Sequence, residues 1–410
     1  MTKHISVNPP AIPALAPPRR ILLGPGPSDV HPRVLQAMAI PTIGHLDPAY
    51  LAVMDRCHEM LKQVFRTRNA LTLAMPGTGS AGMETCVANL LQPGDEMIVG
   101  VNGVFGSRMV DVAQRCGANV HPVEAAWGEV IDPEQVADAL HSFPATKVVG
   151  VVHAETSTGA HQPLEEISRL VHETGALLLV DVVTSLGGME VAVDEWRIDA
   201  CYSGSQKCLS CPPGLAPVTF SDAAVAATAA RTTKVQSWYL DTTMIRRYWG
   251  EERVYHHTAP INMTWALYEA LRIVLEEGLR ERVARHELNH RALRAGLEAM
   301  GLAYIPRRSL TTLNAVRVPE GIDDAEVRRR LLDEYGIEIG AGLGPFKGKA
   351  WRVGLMGESS KRGNVMLFLA ALESILANLG ARLPLGEALP AAGEIYAATD
   401  RASRPTGGKA

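Results

Sequence analysis

Between Leu71 and Asp199 the chain alternates short apolar runs with amphipathic stretches, and its polar, glycine-rich residues mostly fall just after the apolar runs. Residues 71–75, 97–101, 119–123, 147–152 and 177–180 read as strands: each is short, apolar and bounded by turn residues. Helical spacing fills the gaps, in a glycine-led stretch reaching Leu91 and in residues 107–116, 133–142 and 163–174. Parallel neighbours need a long crossover, so this alternation predicts a mostly parallel sheet covered by helices on both faces. Open sheets of that kind bind ligands outside the C-terminal ends of their strands. The expected fold class is therefore α/β, with its chemistry in the loops that follow the strands.

Those loops carry the reactive side chains. The strand at 177–180 ends on Asp181, and beyond it Lys207 stands in Ser203-Gly204-Ser205-Gln206-Lys207, followed by Pro212-Pro213-Gly214. A lysine held in a tight polar turn can form a Schiff base, and a strand-end carboxylate can pair with a heteroaromatic nitrogen. A surface lysine and an ordinary strand-end acid would leave the same trace. Residues 71–75 run into Pro76-Gly77-Thr78-Gly79-Ser80-Ala81-Gly82 and then a helix. The first amides of a helix have no intrahelical partner and lie at its positive end, so this turn suits an anion, with Thr78 and Ser80 adding hydroxyls. It lacks the Lys-Ser/Thr of a P-loop and the spacing of a dinucleotide fingerprint. Asn102 to Gly106 reads as a loop whose Phe105 either stacks on a flat ligand or plugs the edge of the core. Residues 147–152 lead into His153-Ala154-Glu155-Thr156-Ser157-Thr158-Gly159, another polar cluster at a strand end.

The 410 residues suffice for a large core and two domains. A net charge of -4 without any basic run gives no reason to expect a nucleic-acid or membrane partner. The first residues lack the apolar core of a signal peptide, and no apolar window is long enough to span a bilayer, which suits a cytoplasmic protein. The 6 cysteines are sparse for a disulfide scaffold and fit a reducing compartment. Cys208 and Cys211 form a CxxC, but no second pair completes a zinc site, so both read as packing residues and no metal is expected.

Residues 1–20 are rich in proline and read as an extended arm. Residues 21–280 form the large domain, 281–380 a smaller α+β domain, and 381–410 a tail with one short helix near 385–398. Within the large domain, Gly24-Pro25-Gly26-Pro27 is a rigid turn, and Asp47-Pro48 starts a helix whose apolar side runs from Tyr50 to Phe65. Residues 218–220 read as a closing strand. Residues 234–258 are aromatic and polar, ending in adjacent histidines, His256 and His257, whose side chains diverge on any regular element. In the smaller domain Arg352 interrupts the apolar strand 351–354. A buried arginine needs an anion, either a substrate carboxylate or a structural acid.

Taken in order, LLGPGPS at Leu22, PGTGSAGMET at Pro76, NGVFG at Asn102, HAETSTG at His153, LLLVDVVTSLGG at Leu177, SGSQKCL at Ser203, YHHTAP at Tyr255 and WRVGLMG at Trp351 form one constellation. The chain resembles the class V aminotransferases of pyridoxal phosphate fold type I, specifically the alanine/serine–glyoxylate aminotransferase branch, across residues 20–378. The resemblance implies pyridoxal 5'-phosphate as cofactor, with Lys207 as Schiff-base lysine and proton shuttle and Asp181 on the pyridinium nitrogen. It places Val183 and Phe105 on the two faces of the ring, Thr156 near the phenolic oxygen, and Thr78, Gly79, Ser80 and Gln206 at the phosphate. Tyr255 and Thr258 would reach the phosphate from a second subunit, making the protein an obligate homodimer with shared active sites. Arg352 would hold the substrate carboxylate, helped by the Gly26 backbone. The partners it implies are a small amino-acid donor and glyoxylate.

The donor is open between two branches. Asp47-Pro48-Ala49, Trp127-Gly128 and the tail resemble enzymes that use ureidoglycine. Those relatives tend to carry glutamine where this chain has His45, and asparagine where it has Tyr255. Both departures remove amides that could pair with a ureido group, which favours alanine or serine. Related fold type I enzymes that cleave carbon–sulfur bonds need a mobile cysteine, and the cysteines nearest the lysine follow it directly.

Overall fold

A computed structural model of the protein describes residues 12–402. The first eleven residues of the expected arm and the last eight of the expected tail lie outside the described residues.

The alternating pattern folds into a sheet of 7 strands: β1 (Leu71–Pro76), β2 (Glu96–Val101), β3 (Asn119–Glu124), β4 (Thr146–Val152), β5 (Leu177–Asp181), β6 (Ala200–Tyr202) and β7 (Leu215–Phe220), in the spatial order β1-β7-β6-β5-β4-β2-β3. All adjacent pairs are parallel except those made by β7, which runs antiparallel to both β1 and β6. The two-residue period of the strands sorts their side chains onto two cores. Val149, Val151, Leu178 and Val180 pack with Leu61, Phe65, Leu267 and Leu271 on one face. Val148, Val152 and Leu179 pack with Cys86, Val87 and Met109 on the other. Helices therefore cover both faces, as the sequence predicts.

Local sequence accounts for many boundaries. Asp47 caps the helix Pro48–Phe65, its Oδ1 accepting the Ala49 N–H at 2.8 Å, and Asp132 does the same for Pro133–Ser142. Four readings of the sequence need correction. The strand β6 gives only three residues of pattern, Ala-Cys-Tyr, and was not expected. Phe105 lies in the first turn of the helix Val104–Arg115 and not in a loop. The helix Thr242–Trp249 interrupts the polar stretch 234–258. His256 and His257 lie outside regular structure, so their rings meet, Nδ1 to Nδ1 at 2.9 Å, where a strand or helix would part them.

Beyond Gly278 the long helix Leu279–Ala299 leads to a three-stranded antiparallel sheet of β8 (Leu313–Arg317), β9 (Gly340–Ala341) and β10 (Ala350–Gly354), in the order β8-β10-β9. Ile21–Leu22 pairs in parallel with Ile337–Glu338, and Leu23 is buried in the same core as Trp351 and Phe368. The short helix expected near 385–398 spans Ala388–Ala402 and is docked on the rest of the chain. Its Ala388, Ala392 and Tyr396 are buried in that core, and the Tyr396 hydroxyl donates to Asn289 Oδ1 at 2.8 Å. Among the described residues no helix is long and apolar enough to cross a membrane.

Candidate active site

The C-terminal ends of β1, β2, β4, β5 and β6 converge on one cavity of about 240 Å³. Thr78, Gly79, Ser80, Phe105, Thr156, Asp181, Val183, Gln206 and Lys207 all line it, so residues spread over more than a hundred positions meet where a mostly parallel sheet places them. Met83, Arg108, Ala154, Thr184 and Tyr202 complete the wall and were not singled out from sequence.

Lys207 Nζ donates to the carbonyl of Pro25, so the turn at 24–27 lies against the lysine. Gly26 has φ +103°, and a Cβ there would sit 2.5 Å from Lys207 Nζ, so only glycine serves at this position. Burial lowers the lysine to about 8, and the charge of Arg352 pushes the same way. A lysine so placed is a neutral nucleophile for a useful fraction of the time near neutrality.

Asp181 is buried, and each carboxylate oxygen is engaged. Oδ1 accepts the Val183 N–H at 2.8 Å and Oδ2 the Tyr202 hydroxyl at 2.8 Å. Burial pushes its acid up to about 6, while these hydrogen bonds pull it down. A cationic partner inside the cavity would hold it ionised.

At the far wall the helix Gly79–Leu90 begins with Thr78 as its cap, and Thr78 makes no side-chain capping bond. The first-turn amides thus face the cavity without a side-chain acceptor. Gln206 Oε1 is buried and has no hydrogen-bond partner among the described residues. The Phe105 ring forms part of the wall, with the Arg108 guanidinium 5.0 Å from its centroid.

Arg352 and Gly26 flank this cavity without lining it. Arg352 lies on β10, donates from Nε to the Ala341 carbonyl at 2.7 Å, and reaches across with Nη1 to the Thr156 carbonyl at 3.3 Å. No acid forms an ion pair with it among the described residues. Burial brings it down to about 10, offset in part by the nearby charge of Glu155. Tyr255, Thr258 and His45 are elsewhere on this chain. Tyr255 is 58% exposed, Thr258 is exposed, and the Tyr255 ring lies 5.2 Å from that of His45.

All six cysteines are free and buried. Cys208 Sγ donates to the Thr184 carbonyl at 3.1 Å, and burial raises both Cys208 and Cys211 to about 12, so neither is a mobile thiolate.

An amine, a buried carboxylate, an aromatic wall and an uncapped helix start around one cavity fit pyridoxal 5'-phosphate, and the fold is that of the fold type I enzymes built on it. The profile of the family described as aminotransferase class-V matches residues 24–346. The (S)-ureidoglycine–glyoxylate transaminase of Bacillus subtilis is 40% identical over 402 residues, covering 93% of this chain and 96% of its own. The crystal structure of the ureidoglycine–glyoxylate aminotransferase from that species superposes with a TM-score of 0.91. An alanine–glyoxylate aminotransferase structure from Nostoc sp. has a TM-score of 0.88 and 49% identity, with 89% of this chain and 97% of that one covered. The alanine–glyoxylate aminotransferase of Drosophila melanogaster is 38% identical, over 88% of this chain and 93% of its own. The chain belongs to the class V aminotransferases, and its cofactor is pyridoxal 5'-phosphate.

Proposed function

We propose that the protein transfers the amino group of alanine or serine to glyoxylate, yielding glycine and a 2-oxo acid in a ping-pong reaction that turns on Lys207. The observation that carries this reading is the convergence of Lys207, Asp181, Gln206 and the start of Gly79–Leu90 on one cavity, with Arg352 alongside.

Bound there, pyridoxal 5'-phosphate supplies an electrophilic aldehyde and a ring that accepts electron density. Gly79 and Ser80 amides, with the Thr78 hydroxyl and Gln206, hold its phosphate. Asp181 keeps a proton on the ring nitrogen. Phe105 and Val183 fix the ring plane. Lys207 Nζ would hold the cofactor at rest and, once freed, would serve as the base that takes up and gives back the proton of the donor's Cα. Arg352 grips the carboxylate that alanine, serine and glyoxylate share, with a planar fork a lysine lacks.

The donor assignment draws support from His45 and Tyr255. They stand far apart in sequence, yet their rings are 5.2 Å apart, and neither offers the carboxamide that a ureido group would pair with. Both lie away from this chain's own cavity, in keeping with a homodimer in which each subunit completes the other's site. The surface around them exposes Trp238, Tyr239, Val254 and Leu46, an apolar patch suited to a second copy. Unpaired cysteines throughout fit a reducing cytoplasm.

A second reading rests on one observation. The likeness to the Bacillus subtilis ureidoglycine enzyme extends over 93% of the chain, against 88% for the Drosophila alanine enzyme. A donor screen separates the two. The visible absorbance of the holoenzyme is followed as alanine, serine or fresh ureidoglycine is added alone, and glyoxylate is then added. Bleaching by alanine or serine that glyoxylate reverses is the expected result. A response to ureidoglycine alone would overturn the proposal in favour of the second reading.

A further inference from the structure

We infer that Glu155 is a positioning residue of the active site, a buried anionic clamp that sets the Phe105 wall and the Thr156–Arg352 contact from one point. Glu155 does not line the cavity, but both of its sequence neighbours, Ala154 and Thr156, do. It is 0% exposed. Its Oε1 accepts from the Ser157 N–H at 3.0 Å and the Ser157 hydroxyl at 2.5 Å. Its Oε2 accepts from the Phe105 N–H at 3.0 Å and the Gly106 N–H at 3.4 Å. Burial pushes its acid upward, but every contact is a donor that pulls it back, which suits a carboxylate and not its acid.

The helix Val104–Arg115 has no side-chain cap of its own, because its cap residue is Gly103. Glu155 replaces that cap from another strand end, placing a negative charge against the positive end of the helix. Ser157 completes the clamp: its hydroxyl also accepts the Val104 N–H at 2.9 Å. A Cβ on Gly103 would come 2.4 Å from Ser157 Oγ and 2.5 Å from Glu155 Cδ, so this glycine makes room for the clamp. Phe105, one residue into the helix, thus has its backbone fixed by the carboxylate while its ring forms the cavity wall. On the other side, Thr156 follows Glu155 directly, and its carbonyl accepts Arg352 Nη1 at 3.3 Å. Glu155 is also the acid whose charge favours the protonated Arg352. One side chain therefore ties the ring-stacking wall to the carboxylate-binding arginine.

The test uses Glu155→Gln, which keeps the volume but must turn an N–H donor toward Ser157 or toward the Phe105 and Gly106 amides. A charged hydrogen bond is worth enough that pyridoxal 5'-phosphate affinity of the stripped protein, measured by titration, is expected to fall about tenfold. The circular dichroism of the bound cofactor is expected to weaken. With the donor that the wild-type enzyme accepts, KM is expected to rise more than kcat falls, because Arg352 loses the neighbouring charge that favours its protonated form and the segment carrying its Thr156 contact is held less firmly. Ser157→Ala removes one arm of the clamp and is expected to weaken cofactor binding about threefold. This inference rests on the aminotransferase reading only for its donor arm, and the cofactor titration stands whichever donor proves correct. If Glu155→Gln binds the cofactor within twofold of wild type, with unchanged dichroism and KM, the inference fails. If Glu155→Gln does not fold, Ser157→Ala decides: wild-type affinity and dichroism overturn it.

Discussion

Replacing Asp181 with Asn is expected to stabilise the cofactor-free protein above about pH 6 while removing its activity. In the empty cavity the carboxylate is buried beside Val183 and Tyr202. Its acid is raised from 3.8 to about 6, with burial the largest cause. A gap of about two units corresponds to roughly 3 kcal/mol by which the native state disfavours the ionised form. Water entering the cavity reduces this, so about 1–3 kcal/mol is the working range. The folded state keeps its proton to higher pH than the unfolded chain, so wild-type stability from this group is full below about pH 4 and is lost as pH rises through about 6. Asparagine carries no such loss. Its oxygen still accepts the Val183 N–H, and its amide donates to a Tyr202 hydroxyl that rotates to accept. Urea unfolding of stripped protein at pH 5 and pH 8 measures the difference, with the advantage of D181N expected to be larger at pH 8. Turnover, by contrast, is expected to fall at least about a hundredfold, since the group proposed to keep the ring nitrogen protonated is gone. Equal stability differences at the two pH values, or a less stable D181N at pH 8, would refute the burial argument.

Two further substitutions probe the flanks of the cavity. Arg352→Lys keeps the charge but loses the planar fork, and is expected to raise KM for the donor about tenfold or more with a smaller change in kcat, as steady-state kinetics will report. A normal KM would remove Arg352 from the carboxylate site. Gly26→Ala places a Cβ within 2.5 Å of Lys207 Nζ on a backbone with φ +103°, so both strain and displacement of the lysine are expected. The variant is expected to melt several degrees lower and to lose most turnover, and wild-type turnover would contradict the close approach.

The alternation of strand and helix, the helices on both faces of the sheet and the helix start at Asp47 were all legible in the sequence. Each depends on residues a few positions apart. The same local logic marked Thr78, Asp181 and Lys207, because in a parallel sheet the ligand lies where strands end.

What needed the tertiary structure is what depends on distant partners. β6 is too short to show a period and exists because β5 and β7 pair with it on either side. The helix bearing Phe105 starts at Val104 because Glu155, fifty residues on, caps it. Tyr202 joined the cavity wall only when the fold brought its hydroxyl to Asp181. The C-terminal helix was expected near 385–398, but its docking, with Ala388, Ala392 and Tyr396 buried on another unit of the chain, was not. Arg352 was recognisable as an arginine in need of a partner, but its reach to Thr156 follows from how the small sheet lies against the large one. Periodicity is a property of neighbours in sequence, whereas caps, pairings and clamps belong to neighbours in space, and the chemistry of this site is assembled from the second kind.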